Sequence, residues 1–166
     1  MTVTDVTRDR ANRTLTLTAE YPAAPQQVWQ LWADPRLLER WWGPPTYPAT
    51  VVQHDLRPGG KVTYFMTSPE GERFHGYWTV QTVEAPRALE FEDGFADAEG
   101  TPSDTMPTSQ SRVSIQAADA GSTRMVITAI FPGDEAMDQL IQMGMEEGLR
   151  LAVGQTDELL RERVAS

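Results

Sequence analysis

Two histidines are the side chains here best suited to acid–base work at neutral pH, and their neighbours decide whether they can do it. His54 precedes Asp55, which suggests a base with a carboxylate to orient it. Adjacent residues on a strand face opposite sides, however, so these two would not act together. Asp55 fits better as a turn residue before Arg57-Pro58-Gly59-Gly60. His75 stands in an unrelated pattern, as a polar handle rather than half of a dyad. Glu90 and Glu92 alternate with Leu89 and Phe91, the pattern of a solvated strand face, and Glu146 and Glu147 belong to a helix exterior. No Gly-x-Ser-x-Gly elbow, His-Glu-x-x-His motif or paired-histidine metal spacing occurs. The absence of cysteine excludes disulfides, thiolate metal sites and cysteine nucleophiles. No catalytic residue, metal or cofactor is assigned.

Apolar recognition is better supplied. Along the run Lys61 to Thr67, Val62, Tyr64 and Met66 share one face. Leu89 and Phe91, Val113 and Ile115, and Met125 and Ile127 pair by the same alternation on three later runs. If these faces are concave, they meet Met137, Ile141 and Met145 of a C-terminal helix. The chain has seven methionines, and methionine suits surfaces that must adapt to varied apolar shapes, although plain cores use it too. Tyr64, His75 and Tyr77 are the candidate polar handles. Periodicity does not decide whether His75 and Tyr77 or Gly76 and Trp78 point inward, because both faces of that run carry apolar groups.

The elements that must position these residues follow one another clearly. Arg13 to Tyr21 alternates as a half-buried strand. Pro25 opens a short helix with Val28, Leu31 and Trp32 on one face, and Asp34-Pro35 starts a second at once. That second helix ends in Trp41-Trp42-Gly43-Pro44-Pro45, where the prolines forbid continuation. Neighbours on a helix point about 100° apart, so the two rings cannot enter one core layer. Trp41 packs down with Leu37 and Leu38, and Trp42 turns to the sheet edge or the mouth of a cavity; burial of both as core is the plain alternative. Six further strands are expected: Thr50–Leu56, Lys61–Thr67, Phe74–Val83, Ala88–Glu92, Ser111–Ala117 and Thr123–Phe131. Their short links imply antiparallel neighbours. Residues 93–110 read as a long, mobile loop, with Phe95 and Met106 as apolar tethers over the cavity mouth. Asp134 caps a final helix to about Arg163.

Gly144 and Gly148 sit four residues apart on the buried face of that helix, each costing about 0.5–1 kcal/mol against alanine. Either the helix approaches the sheet closely or kinks there, or space is left for a ligand. A glycine inside a helix most often has a packing reason, which favours the first explanation.

The bounds are simple. The chain has 166 residues, 40% of them hydrophobic, enough for one domain, 1–166, with a core over about 13–163. A net charge of −10 argues against nucleic acid and anionic membrane surfaces as partners. The N-terminus lacks the apolar region of a signal peptide, and no stretch could span a bilayer as a helix, so a cytoplasmic location is expected.

Trp41-Trp42-Gly43-Pro44, Asp55-x-Arg57-Pro58-Gly59-Gly60, Gly76-Tyr77-Trp78 before "EAPRALEFED", and "MGMEEGLRLAVGQTDELL" resemble the START-like (SRPBCC) superfamily. Within it they are most similar to the C-terminal domain of the activator of the heat-shock-protein-90 ATPase. The resemblance covers about Leu15 to Leu160. It implies an α+β helix-grip fold: a curled antiparallel sheet of about seven strands around a long C-terminal helix, with two short helices after the first strand. It also implies a cavity between sheet and helix, which shifts the reading of Gly144 and Gly148 toward ligand space.

Three functions of different classes then remain. The first is a binding protein for an apolar or aromatic small molecule, lined by Trp42, Tyr64, Met66, His75, Tyr77, Phe91, Phe95, Met106, Ile127, Met137, Ile141, Gly144, Met145 and Gly148. The second is a chaperone cofactor, as the resemblance implies, and the third a cyclase- or hydrolase-like enzyme using the same cavity. A buried ionisable group facing the cavity favours the enzyme; an all-apolar lining favours the binder. Monomer and homodimer are both compatible with the sequence.

Overall fold

The computed structural model describes residues 3–165; Met1, Thr2 and Ser166 of the expected domain lie outside the described residues. Among the described residues eight strands form one antiparallel sheet: β1 (Val3–Asp9), β2 (Thr14–Tyr21), β3 (Ala49–His54), β4 (Lys61–Thr67), β5 (Arg73–Glu84), β6 (Ala88–Phe95), β7 (Ser109–Ala117) and β8 (Thr123–Ile130). Their order across the sheet is β1-β2-β8-β7-β6-β5-β4-β3. The sheet curls around the C-terminal helical stretch in a helix-grip arrangement. Seven strands were expected; the eighth is β1, whose burial repeats every third residue rather than every second. Polar Thr and Asp crowd that strand, so alternation could not mark it.

Two short helices, α1 (Pro25–Ala33) and α2 (Pro35–Trp41), follow β2. The side chain of Asp34 accepts from the Arg36 N–H at 2.9 Å, capping α2 as its sequence requires. The C-terminal stretch runs over the expected range in three segments: α3 (Asp134–Gln142), α4 (Met145–Val153) and α5 (Thr156–Ala165). Asp134 begins α3 in its first turn, and Gly133, not Asp134, is the cap residue. An acidic group in a first turn still complements the helix dipole.

Gly144 causes the first break. Its φ of +95° is left-handed backbone that glycine enters without a Cβ clash. At the second break the Gln155 amide donates to the Gly43 carbonyl at 2.8 Å. That bond ties the α4–α5 junction to the turn after the paired tryptophans. Nearby, Thr156 and Tyr21 share a buried hydroxyl–hydroxyl hydrogen bond of 2.8 Å, and burial raises the Tyr21 pKa.

The main core lies where α1, α2 and α5 meet the concave sheet. Trp32 is its hub, with Trp41, Trp42, Trp78 and Phe91 all within 6.3 Å between ring centroids. Trp41 is fully buried and its indole N–H donates to the Leu31 carbonyl at 2.9 Å. A second, smaller cluster of Leu15, Ala129, Phe131, Met137 and Leu140 sits under α3. Surface ion pairs clip β1 and the turn after it to α3 and α4: Arg8 with Glu146, Arg10 with Asp138, and Arg13 with Asp134.

Candidate functional site

Between α4 and the concave sheet lies a cavity of about 510 Å³. Its wall is built by strand alternation. Tyr64 and Met66 come from β4, Asp93 and Phe95 from β6, Ser109 and Ser111 from β7, and Ile127 and Ala129 from β8. The helical side supplies Leu140, Met143, Gly144, Met145, Gly148 and Leu149. Trp42 and Pro44 close one end, and Tyr47 and Phe74 flank the opening with their rings 6.1 Å apart. Tyr47, Phe74 and Met143 all keep a third or more of their surface exposed, so the entrance has an apolar rim.

Strand β5 resolves the ambiguity that periodicity left. Tyr64 lies opposite Gly76, and Trp78 opposite Asp93 and Val62, so Gly76 and Trp78 face inward. A Cβ on Gly76 would come within 2.5 Å of the Tyr64 ring, so the missing side chain is what lets that ring lie flat on the strand. His75 and Tyr77 therefore belong to the opposite face and are corrected as cavity residues. The His75 ring packs on Phe65 with centroids 5.5 Å apart. Tyr77 lies over Gly94, whose Cβ would meet its ring at 2.7 Å, and its hydroxyl donates to Glu92 at 2.7 Å. Burial and the Glu92 carboxylate push the Tyr77 pKa up to about 12.

Other expected residues are displaced from the wall by packing. Phe91 points inward but stacks on Trp78 at 4.0 Å and is fully buried in the aromatic core. Met137 and Ile141 face the smaller cluster under α3 because the break at Gly144 turns α3 away from α4. Met106 is half-buried outside the wall, while Pro107 next to it does reach the cavity. Trp42, Tyr64, Met66, Phe95, Ile127, Gly144, Met145 and Gly148 stand where the sequence placed them, on the wall.

Gly148 has open space where its side chain would be, with no atom within 4 Å of an added Cβ. Close helix–sheet packing is therefore not its reason. Gly144 likewise meets nothing, and its role is the left-handed break.

Asp93 is the residue that sequence reasoning missed. Asp93-Gly94 resembles the start of a loop, yet β6 continues through it to Phe95, and the loop is confined to 96–108. Alternation was the available signal, since Leu89, Phe91, Asp93 and Phe95 share one face. Ser109 and Ser111 extend the Val113–Ile115 face in the same way. The Tyr64 hydroxyl donates to Asp93 Oδ1 at 3.3 Å. Burial pushes the Asp93 pKa up to about 7, against the opposing pull of the Tyr64 and Gly94 hydrogen bonds. Burial, chiefly, also holds Tyr64 well above the usual phenol range. Beside them, the indole N–H groups of Trp42 and Trp78 are buried without a hydrogen bond of good geometry. The cavity thus has mostly apolar walls, and its polar groups, the floor of the site, are the Asp93 carboxyl, the Tyr64 phenol, the Trp42 indole and the Ser109 and Ser111 hydroxyls, with Trp78 buried outside the lining. The other histidine stands clear of this floor, bonded through Nε2 to the Trp32 carbonyl at 3.0 Å.

Among the described residues no cluster of three or more His, Asp or Glu side chains could hold a metal ion. Among the described residues no helix is long and apolar enough to cross a membrane.

Residues 22–161 match the family model described as Activator of Hsp90 ATPase homolog 1-like protein. The crystal structure of Protein Ms6760 from Mycobacterium smegmatis is similar, with 47% identity and a TM-score of 0.87 over 95% of this chain and 96% of that one. A solution structure of a protein from Arthrobacter aurescens has 44% identity and a TM-score of 0.92, covering 97% of this chain and 93% of its own. A Nitrosomonas europaea protein is 25% identical with a TM-score of 0.81, over 94% of this chain and 99% of that one. No protein of curated function matches.

Proposed function

The chain belongs to the Activator of Hsp90 ATPase homolog 1-like family, and from that premise we propose that it binds an apolar or aromatic small molecule between α4 and the sheet. The observation that carries this reading is Gly148, a helix glycine with open space above it on the wall of a 510 Å³ cavity. A helix gives up about 0.5–1 kcal/mol at such a position, and close packing does not account for it. The volume falls in the range of small-molecule sites, which are mostly apolar with a few placed polar groups.

A ligand that binds only the native state raises thermal stability, by about 2.7 kcal/mol at a hundredfold excess over Kd. A melting screen across hydrophobic compounds therefore gives saturable shifts, weakened by Met66→Ala or Tyr64→Ala. Gly148→Leu abolishes the shifts while leaving the unliganded melting temperature within a few degrees of wild type. A broad library without any shift would refute the reading and favour a protein partner of the chaperone type.

Asp93 supports a second reading, turnover in the same cavity. A carboxyl with a pKa of about 7 can take up and release protons at neutral pH. Chemical conversion of a bound compound that Asp93→Ala abolishes, while binding persists, would establish an enzyme. His75 lies on the other face of the sheet, away from this cavity.

A further inference from the structure

Resting on the cavity-binding reading, we propose that the polar floor selects ligands bearing one hydroxyl at their inner end, a phenol or an alcohol on an apolar ring system. A carboxylate offers about four acceptor sites. Tyr64 and the Gly94 N–H act on Asp93 and leave room for a further donor. The buried Trp42 N–H faces the Tyr64 hydroxyl without a hydrogen bond of good geometry, and its ring lines the cavity with its centroid 6.2 Å from that of Tyr64. A hydroxyl donates and accepts through one atom, so it can satisfy Asp93 and Trp42 together. An ether or an ionised phenolate can serve only the indole, and a plain hydrocarbon serves neither, leaving buried polar groups unpaired on binding.

The selectivity is tied to the charge of Asp93. Ionised Asp93 is acceptor-only and rewards a donor; protonated Asp93 becomes a donor itself and rewards any oxygen. Tyr64 faces it from β4 and Tyr77 couples to it from the other face of the sheet, on β5; burial raises the pKa of both phenols, so they stay neutral across the range. The other side chains around the floor, Trp42 from the end of α2, Trp78 from β5, Phe95 from β6 and Ser109, opposite Asp93 on β7, do not titrate in this range.

The experiment compares 2-naphthol, 2-methoxynaphthalene and naphthalene by calorimetric titration at pH 8 and pH 5.5. At pH 8 wild type binds 2-naphthol about tenfold more tightly than the methyl ether, since a hydrogen bond to a charged acceptor is stronger than one between neutral groups. The ratio falls toward one at pH 5.5, and Asp93→Ala removes it at pH 8. Trp42→Phe weakens both oxygen-bearing probes relative to naphthalene. Equal binding of all three probes at both pH values would overturn the hydroxyl assignment while leaving the cavity reading intact. Failure of every probe to bind would overturn both. The pH comparison uses the unmodified chain, so a variant that does not fold leaves the test in place.

Discussion

On one side of the Tyr64 ring, Trp32, Trp41, Trp42, Trp78 and Phe91 crowd the concave sheet with centroids 4.0 to 6.4 Å apart. On the other side, the same sheet presents Met66, Ser109, Ser111, Ile127 and Ala129 to a helix that offers Gly148 and Met145. The first region is filled with rigid rings; the second is left open by small and flexible side chains. The two differ in what the helical layer supplies above the sheet. α1 and α2 bring three of the tryptophans, whereas α4 brings glycine and methionine to the opening. One sheet thus carries a stabilising half and a vacant half, with Tyr64 and Asp93 at the boundary.

The comparison breaks most visibly at Trp32. Trp32→Ala leaves a large void in the filled half and lowers unfolding free energy by about 3–5 kcal/mol, read by chemical denaturation. A cost under 1 kcal/mol would mean that the aromatic half is not where stability resides.

At the boundary the sign depends on pH. The folded-state pKa of Asp93 is raised to about 7, so the unfolded chain ionises first as pH rises. Stability present below about pH 4 is lost as the pH climbs through 7. Asp93→Asn removes that dependence and stabilises the protein on the order of 2 kcal/mol at pH 8, allowing for the carboxyl surface open to the cavity, with no gain at pH 4. Identical pH–stability curves for the two chains would contradict burial as the cause of the shift.

The two glycines of the hollow half separate by mechanism. Gly144→Ala costs about 1 kcal/mol because its φ of +95° is left-handed. Gly148→Ala gains up to about 1 kcal/mol, since it sits inside α4 with open space above it. Equal effects at both positions would remove the distinction between a backbone break and a reserved volume. The smallest effect belongs to Arg10→Ala, which loses an exposed ion pair to Asp138 and costs less than about 1 kcal/mol, diminishing in high salt.

How far the sequence carries differs between the halves for physical reasons. The filled half was legible because Val28, Leu31, Trp32, Leu37, Leu38 and Trp41 repeat at helical spacing and the strand faces alternate. The hollow half was legible only in part. A glycine pair in a helix does not reveal that one member is a break and the other a vacancy, because that depends on backbone dihedrals. Tyr77 is as apolar-looking as Trp78; the glycines at 76 and 94, each beneath a tyrosine ring on opposite faces, settle the orientation. Asp93 was hidden by its neighbour, since Asp-Gly is a strong turn signal, and here tertiary pairing with β5 overrides it. Strand β1 escaped because its pairing with β2, rather than any alternation of its own, makes it a strand.

The most direct test uses the methionines as reporters of the two kinds of surroundings. Met66, Met143 and Met145 line the cavity, whereas Met125 is fully buried in the aromatic core and Met137 in the cluster under α3. With methyl-labelled methionine, a titration with 2-naphthol followed by NMR predicts saturable shifts at Met66 and Met145 and unchanged signals at Met125 and Met137. Shifts confined to Met125 and Met137, or none at Met66 and Met145 at saturating probe, would contradict a ligand site between α4 and the sheet.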